Sequence, residues 1–385
     1  MHFQTLLVHG HEKPDKTYNA VIPPIYLTTT YRSEKFGKRE RFGYSRGNNP
    51  TRAYLEGLIA ELEGAKHGFA FSSGMTAIAA SLAVLKSGDQ VLVTKNVYGG
   101  TVALLDGFFK DFGLSYELID MSDLNQLERA FNEKTKAVLI ESPSNPLLDI
   151  TDIEAVSRAA KKRGIITIVD NTFLSPYLQR PLELGADIVV ESATKFFSGH
   201  SDVIAGTAAT NDDGLAGKIG AYQRLAGGIA QPFDIYLLVR GLKTLSVRID
   251  RQVENAGKIV EFLQNNPGID KIYYPGLAEH PGYAINQRQS KSPGSMVSFL
   301  LNPAYNIAVF FDSLRYITPG ASLGSVETLI QHPATGSHAT FSPEQRKQAG
   351  ITDNLIRLSA GIENLNDLIE DLEQALKKSI GKNSD

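Results

Sequence analysis

The chain has 385 residues, of which 42% are hydrophobic, and its 39 basic and 42 acidic side chains give a formal net charge of −3. This ordinary globular composition indicates neither a nucleic acid nor a membrane surface as a partner. The sequence has no cysteine, which excludes disulfides, thiolate metal sites and thiol nucleophiles. Because neither a signal peptide nor a membrane-length apolar run is recognisable, the sequence predicts a cytoplasmic protein.

The first 50 residues are rich in Gly, Pro, Thr, Tyr and Arg and show little periodicity. They predict an extended arm that needs another surface to pack on. A helix is predicted to begin at the Asn-Pro-Thr run of residues 49–51, because proline is tolerated in a first helical turn. The apolar residues that follow have the spacing of one buried helix face: Leu55, Leu58, Ile59 and Leu62.

From about residue 66, short apolar runs alternate with helical patterns. Such alternation predicts βαβ units and an α/β fold whose mostly parallel sheet is covered on both faces. Ligands bind beyond the carboxyl ends of the strands in such sheets, so chemistry is expected there. The predicted strands are HGFAF, QVLVT, AVLIE, IITIVD and DIVVE, and the helices between them include MTAIAASLAVL, TVALLDGFFKDF and DIEAVSRAAKKRG.

After about residue 245 the pattern changes to a smaller α/β domain. Its predicted elements are the helix VENAGKIVEFLQNN, which precedes KIYYPG, the strand MVSFLL, and helices near NIAVFFDSLRYI and NDLIEDLEQALKK. The sequence therefore predicts an arm at 1–55, a large domain at 56–245 and a smaller C-terminal domain at 246–385. The last boundary falls within a helical stretch.

Polar residues at three predicted strand ends could carry chemistry. Ser73, Gly74 and Met75 stand where a strand passes into a helix, and a helix N-terminus with a close glycine backbone can bind phosphate. Small residues at such a turn are also common for purely structural reasons. Asp170 follows a nearly all-apolar strand, so its carboxylate needs a partner, either a structural cap or salt bridge or a protonated nitrogen of a ligand.

Lys195 lies between Thr194 and Phe196 in the segment ESATKFFSG. A lysine in apolar surroundings has a lowered pKa and becomes a nucleophilic amine suited to Schiff-base chemistry. The hydroxyls of Ser192 and Thr194 could bind phosphate. One ligand with a phosphate, a basic ring nitrogen and an aldehyde would satisfy all these groups, and pyridoxal 5′-phosphate (PLP) has the three.

Two further side chains each have a structural and a functional interpretation. Tyr98 follows the strand QVLVT and is either a core tyrosine or a ring stacked on the cofactor, with a hydroxyl that can pass protons. Arg357 lies in an apolar stretch and forms either a structural ion pair or a clamp for a substrate carboxylate. His9, His11, His332 and His338 would bind a metal only if they converged, so no metal site is predicted.

The sequence resembles the Cys/Met-metabolism family of PLP enzymes nearly end to end. This family includes cystathionine γ-synthase, cystathionine γ- and β-lyases, methionine γ-lyase and homoserine-ester sulfhydrylases. The resemblance implies a fold-type I PLP-dependent transferase that assembles as a homotetramer, a dimer of dimers with shared active sites. The motifs that carry it are YSRGNNPTR, FSSGMTAI, VYGGT, ESPSNPLL, VDNTF, SATKFFSGHSDVIAG, RGLKTLSVR, SLGSVETL and IRLSAGIE.

The resemblance also implies roles for individual residues. Lys195 is implied as the Schiff-base lysine and proton shuttle, Tyr98 as the ring that stacks on the cofactor, and Asp170 as the partner of the pyridine nitrogen, with Thr172 close behind it. The residues implied to hold the cofactor phosphate within one subunit are Gly74, Met75, Ser192 and Thr194. Those implied to reach the phosphate of the neighbouring subunit's cofactor are Tyr44 and Arg46. Those implied to bind the substrate carboxylate and the cofactor's oxygen are Asn145, Ser322 and Arg357.

The reaction implied by the resemblance is carbon–sulfur bond cleavage in a sulfur amino acid, with cystathionine cleaved by β- or γ-elimination as the leading reaction. A methionine γ-lyase, a γ-replacement enzyme and a PLP-binding protein without catalysis are the alternatives. Family members that act on cystathionine often carry charged or polar residues at three positions where this chain has Gly43, Ala103 and Ala321. These small residues weaken a direct transfer of cystathionine specificity.

Overall fold

A computed structural model describes residues 1–11, 15, 17–38, 40–339 and 341–381. Its larger sheet has seven strands: β1 (His67–Phe71), β2 (Gln90–Thr94), β3 (Ser115–Ile119), β4 (Thr135–Glu141), β5 (Ile166–Asp170), β6 (Ile188–Glu191) and β7 (Gly206–Thr210). Their order is β1-β7-β6-β5-β4-β2-β3. Strands β6, β5, β4, β2 and β3 are mutually parallel, and β7 is antiparallel to both of its neighbours. The α/β class and the mostly parallel sheet are thus confirmed.

Helices accompany this sheet along the chain. They are α1 (Phe3–His9), α2 (Pro50–Glu63), α3 (Gly74–Leu82), α4 (Gly99–Leu104), α5 (Leu124–Ala130), α6 (Ile153–Lys161), α7 (Ser175–Leu178), α8 (Asp213–Ala226) and α9 (Pro232–Leu242). A π-helical turn at Leu105–Phe109 extends α4, and a 3₁₀ turn lies at Pro181–Leu184.

Side chains on β2 alternate between the two faces of the sheet. Val91 and Val93 are in one buried cluster with Ile78 of α3, whereas Leu92 is in another with Ile153 of α6. Because successive strand residues point to opposite faces, a strand covered on both sides must be apolar at every position. This requirement explains why QVLVT and AVLIE are continuous apolar runs. Among the described residues, no helix is long and apolar enough to cross a membrane.

The second sheet has five strands: β8 (Ile269–Tyr273), β9 (Met296–Leu301), β10 (Thr318–Pro319), β11 (Leu329–Gln331) and β12 (Leu355–Ser359). Their order is β10-β11-β12-β9-β8. The helices that follow α9 are α10 (Leu245–Gln264), α11 (Tyr283–Gln289), α12 (Ile307–Ser313), α13 (Pro343–Gln348) and α14 (Leu365–Ser379). Helices α10, α12 and α14 contribute to the buried core of this sheet, which includes Ile259, Phe299, Phe310 and Leu372.

The N-terminal segment differs in part from the predicted arm. Residues 3–9 form the helix α1, and Leu6 and Leu7 are buried in the same core as α2 and α9. The arm-like character is restricted to residues after α1, where Tyr18, Val21 and Leu27 are strongly exposed. A long helix, α10, begins at Leu245, which is where the predicted boundary between the two larger domains falls. The domain limits themselves remain a prediction.

Candidate active site

The carboxyl ends of three neighbouring parallel strands each carry an acidic residue, of which the outer two are buried and the middle one is half-buried. Glu141 ends β4, Asp170 ends β5 and Glu191 ends β6. Glu141 and Asp170 are directly paired across the two strands. Lys195 follows β6 by four residues and therefore lies at the same edge of the sheet. The structure thus brings Asp170 and Lys195 together at the edge where the sequence predicts chemistry.

Lys195 has the environment of a reactive amine. Its Nζ donates a hydrogen bond to the Ser322 hydroxyl at 2.7 Å. Burial, and secondly the positive charge of Arg357, lower the pKa of Lys195 to about 8. A lysine with this pKa has a substantial neutral fraction near pH 8, and the neutral amine is the nucleophile that condenses with an aldehyde.

One carboxylate oxygen of Asp170, Oδ2, has no hydrogen-bond partner among the residues that the structure describes. The N–H and the hydroxyl of Thr172 both donate to Oδ1, at 3.0 and 2.5 Å. No other hydrogen bond to Asp170 is found within the described part of the chain. Burial raises the pKa of this carboxyl, so a protonated ring nitrogen would relieve the cost of its charge. Thr172 also accepts the Ser192 N–H at 2.8 Å and so connects Asp170 to the predicted phosphate site.

The turn between β1 and α3 leaves a cradle that a side chain would fill. A Cβ on Gly74 would lie 2.8 Å from Cβ of Ser192, and a Cβ on Gly206 would lie 2.2 Å from the Ser73 carbonyl oxygen. The Ser73 side chain caps α3 by accepting the Thr76 N–H at 3.1 Å. Free N–H groups at a helix start beside the Ser192 hydroxyl fit a phosphate. The residues present therefore fit PLP at its phosphate end as well as at its ring nitrogen.

Two other residues predicted for the phosphate site have protein contacts of their own. The Thr194 hydroxyl donates to the Ala205 carbonyl at 3.2 Å and accepts the Ala205 N–H at 3.0 Å. Met75 is half-buried against the core beneath α3. The Thr194 hydroxyl retains one acceptor position, and Met75 can contribute its backbone N–H at the helix start.

Arg357 lies on β12, in the second sheet, and reaches across to the first. Its Nη1 donates to Oδ1 of Asn145 at 2.9 Å, and its Nη2 donates to the Ser322 carbonyl at 3.0 Å. Its buried Nε has no partner within the described residues. Burial lowers the Arg357 pKa to about 10, which leaves it charged at neutral pH. A buried guanidinium with an unused donor next to a reactive amine suits an α-carboxylate.

Ser322 contacts both Arg357 and Lys195 from a strained backbone. Its φ of 120° is rare for a residue with a side chain. This conformation lets the carbonyl face Arg357 while the hydroxyl faces Lys195. Such strain is found where surrounding contacts fix a site. A cavity of about 640 Å³ extends from Ser322 past Thr194, Ala321 and Ile204.

Tyr98 stands at the start of α4 with 43% of its surface exposed. Its N–H donates to Oε2 of Glu141 at 2.8 Å. A Cβ on Gly100 would lie 2.4 Å from the Tyr98 ring, so the glycine leaves the ring its space. The ring is therefore free to cover a ligand, and it is not the core tyrosine of the structural interpretation.

Tyr44 and Arg46 lie apart from these groups in the single chain. Both are exposed, and the Arg46 guanidinium lies 5.7 Å over the Tyr44 ring and donates to the Arg224 carbonyl. The buried Arg52 fixes this segment through a 2.9 Å hydrogen bond to the Ser45 carbonyl. Within the described residues, no contact joins Tyr44 or Arg46 to Lys195 of the same chain.

Sequence reasoning missed the acidic residues on either side of Asp170. Glu141 and Glu191 each end an apolar strand, which is the same signal that identified Asp170, but they were not singled out. Burial raises the pKa of both carboxyls well above the usual range, and proximity to other acids adds to it. His338, predicted only in connection with metals, is buried, and burial followed by the charge of Arg357 lowers its pKa to about 4. No cluster of three or more metal-ligating side chains occurs in the described ranges.

The fold and the site together define a PLP-dependent enzyme of the α/β class. A family model described as Cys/Met metabolism PLP-dependent enzyme matches residues 4–377. The chain therefore belongs to this family of enzymes of sulfur amino-acid metabolism, and its cofactor is PLP.

Its relatives extend over the whole chain. The cystathionine beta-lyase of Lactococcus lactis subsp. cremoris (strain MG1363) is 47% identical over 97% of this chain and 99% of its own length. The cystathionine gamma-lyase of Bacillus subtilis (strain 168) is 44% identical over 97% and 99%. Among solved structures, cystathionine gamma-lyase from Lactobacillus plantarum complexed with L-serine has a TM-score of 0.97 at 44% identity, with 98% and 99% of the two chains covered. Cystathionine gamma synthase from Xanthomonas oryzae pv. oryzae in complex with cystathionine has a TM-score of 0.96 at 43% identity, with 98% of each covered.

Proposed function

We propose that this enzyme cleaves a carbon–sulfur bond of cystathionine by PLP-dependent elimination. The observation that carries the proposal is the contact series from Lys195 to Ser322 to Arg357 to Asn145, which sets a reactive amine beside a carboxylate clamp. An α-amino acid has an amine and a carboxylate on one carbon, so this arrangement selects it. The relatives named as cystathionine lyases support the choice of cystathionine.

Each step of the proposed reaction is assigned to a particular residue of the site. When bound, PLP supplies an aldehyde that condenses with amines and a protonated ring that accepts electron density from the α-carbon. Arg357 and Asn145 hold the substrate α-carboxylate, and Asp170 keeps the ring nitrogen protonated. Lys195 removes the α-proton as its neutral amine, and Tyr98 covers the ring and can pass a proton to the leaving sulfur. Thr172 holds Asp170 in place.

The remaining predicted residues position the two ligands. Ser322 orients Lys195 and Arg357, while the phosphate is held at the β1–α3 turn by Gly74, Met75, Ser192 and Thr194. β-Elimination breaks the bond between sulfur and Cβ and, with one water that hydrolyses the resulting imine, gives homocysteine, pyruvate and ammonia. γ-Elimination requires a further proton shift before sulfur leaves Cγ and, with one water used in the same way, gives cysteine, 2-oxobutyrate and ammonia.

The three small residues noted in the sequence cannot recognise a charged group at the far end of the substrate. Gly43, Ala103 and Ala321 are all exposed, and none brings a charge or a hydrogen-bonding side chain. Methionine γ-cleavage therefore remains an alternative. The likeness to the Xanthomonas cystathionine gamma synthase favours γ-replacement as another alternative.

A substrate panel tests the proposal. Purified enzyme loaded with PLP would be given cystathionine, methionine, homocysteine, cysteine, and O-acyl-homoserine with a thiol. We expect an oxo acid from cystathionine, with pyruvate marking β-cleavage and 2-oxobutyrate marking γ-cleavage. Turnover only of the acyl-homoserine with a thiol would reject the lyase and establish the replacement enzyme.

We also propose a cytoplasmic homotetramer, a dimer of dimers in which Tyr44 and Arg46 reach the phosphate of the neighbouring subunit's cofactor. The exposure of both residues, and of Tyr18, Val21 and Leu27 on the same arm, supports a covering partner. The proposal that two subunits share each active site is tested by mixing Lys195→Ala and Arg46→Ala subunits through reversible dissociation. A hybrid has one complete site, so activity should exceed that of either variant alone. No gain in a verified hybrid would reject the shared site.

A further inference from the structure

Glu141 ends β4 directly opposite Asp170 on β5. Only 5% of its surface is exposed. The Thr94 hydroxyl accepts the Glu141 N–H at 3.3 Å, which fixes the end of the strand against β2. A carboxylate so deeply buried needs strong partners, because the loss of hydration is costly.

The Glu141 carboxylate faces two different loops. The Tyr98 N–H donates to Oε2 at 2.8 Å from the loop after β2. The backbone amide of Asn145, in the loop after β4, is close enough to offset part of the rise in the pKa of Glu141 that burial causes. One side chain thus binds the loop that carries the exposed ring and lies beside the loop that carries part of the carboxylate clamp.

The contacts continue from Asn145 to the reactive amine. Asn145 Oδ1 accepts from Arg357, and Arg357 in turn donates to the Ser322 carbonyl. The Ser322 hydroxyl accepts from Lys195. A shift of the Asn145 backbone would therefore move the acceptor on which the orientation of Arg357 depends.

We propose that Glu141 is a positioning residue that sets the Asn145–Arg357 clamp and the Tyr98 ring together at the edge of the sheet. The inference rests on the proposed function in one respect, that Asn145 and Arg357 bind a carboxylate. The competing explanation is that Glu141 acts only by placing negative charge near Asp170. Glu191 provides the matched control, because it is also buried near Asp170 but accepts from Asn171 Nδ2, at 3.2 Å, instead of from either loop.

The test compares Glu141→Gln with Glu191→Gln, each loaded with PLP. Glycine and ethylamine are titrated separately, and binding is followed by the change in cofactor absorption. Glycine offers a carboxylate without a leaving group, whereas ethylamine offers only the amine. We expect Glu141→Gln to weaken the binding of glycine about tenfold, because a neutral amide replaces a charged acceptor. The affinity for ethylamine should change little. Glu191→Gln should keep the wild-type ratio of the two affinities.

Wild-type glycine affinity in Glu141→Gln, or an equal loss of glycine affinity in both variants, would overturn the proposal. If Glu141→Gln does not fold, Glu141→Asp carries the same test, since it keeps the charge but withdraws it by one methylene. We expect the same selective loss of glycine binding from it, and a wild-type ratio would again overturn the proposal. The titration needs no turnover, so a wild type that binds glycine but cleaves no sulfur amino acid rejects the proposed function alone.

Discussion

Arg357 and Asn145 belong to different sheets, yet the Nη1 of Arg357 donates to the Asn145 Oδ1 at 2.9 Å across 212 residues of sequence. Arg357 is paired on β12 with Ser298 and Gln331, while Asn145 is in the loop beyond β4. The candidate active site is therefore completed only when the two sheets are packed against each other.

Replacing Arg357 by Lys should impair substrate binding. Lysine cannot donate to Asn145 and Ser322 at once and still offer a donor to the substrate, because it lacks the planar fork. We expect KM for the amino-acid substrate to rise about 10- to 100-fold with a smaller fall in kcat. Steady-state kinetics checks this, with Arg251→Lys, an exposed arginine on α10 paired with Glu254, as the control. An unchanged KM would contradict the clamp.

The reactivity of Lys195 should depend on pH with a midpoint near 8. Burial and then Arg357 lower the Lys195 pKa to about 8, so the neutral amine accumulates as the pH rises through that value. The rate of PLP uptake by apoenzyme should therefore rise between about pH 7 and 9, and Arg357→Gln should move the midpoint upward. Stopped-flow absorbance measures the rate.

Lys195→Ala is the control for that experiment. This variant should remain colourless after removal of free PLP and retain no cofactor after borohydride reduction, with essentially no turnover. A midpoint near the ordinary lysine value of about 10.4 would contradict the lowered pKa.

Alanine at Gly74 should weaken cofactor retention. The new Cβ would lie 2.8 Å from the Ser192 Cβ, so the turn and the strand end must separate. Overpacking of this kind costs about 1–3 kcal/mol, and we expect PLP to dissociate at least about tenfold more readily. Equilibrium dialysis measures the affinity. Gly217→Ala on α8, where a Cβ would meet nothing within 4 Å, should retain PLP like the wild type.

Glu63 should make the enzyme less stable as the pH rises. Burial raises the pKa of Glu63 to about 8, and the buried Glu191 lies beside it. Between about pH 4.5 and 8 the folded state keeps a proton that the unfolded state has lost, so the free energy of unfolding falls with rising pH. Glu63→Gln should reduce this fall, as measured by Tm at pH 5.5 and pH 8.

The exposed Glu370, on α14, provides the control for Glu63. Glu370→Gln should keep the wild-type difference in Tm between the two pH values. An identical pH dependence in Glu63→Gln and the wild type would show that this carboxyl is ionised in the folded enzyme.

The sequence by itself was sufficient for the class of fold and the cofactor. Runs such as QVLVT indicate strands covered on both faces, because alternate residues must be apolar on both sides. A polar residue at the end of such a run is conspicuous, which is how Asp170 and Lys195 were identified. Strand β7 was missed because GTAAT contains small residues without a strong strand signal, and α1 was missed within a segment of weak periodicity.

The tertiary structure alone decided which distant groups meet. Arg357 was recognisable as an arginine in an apolar stretch, but its contacts with Asn145 and Ser322 depend on the packing of two sheets. The strained backbone of Ser322 and the Tyr98 amide that binds Glu141 also depend on contacts between segments far apart in the chain. Periodicity reports which residues are buried on one element, whereas the partner of a buried polar group is set by the neighbouring element. Lys195 is thus predictable as a reactive lysine, and its lowered pKa is a property of the folded site.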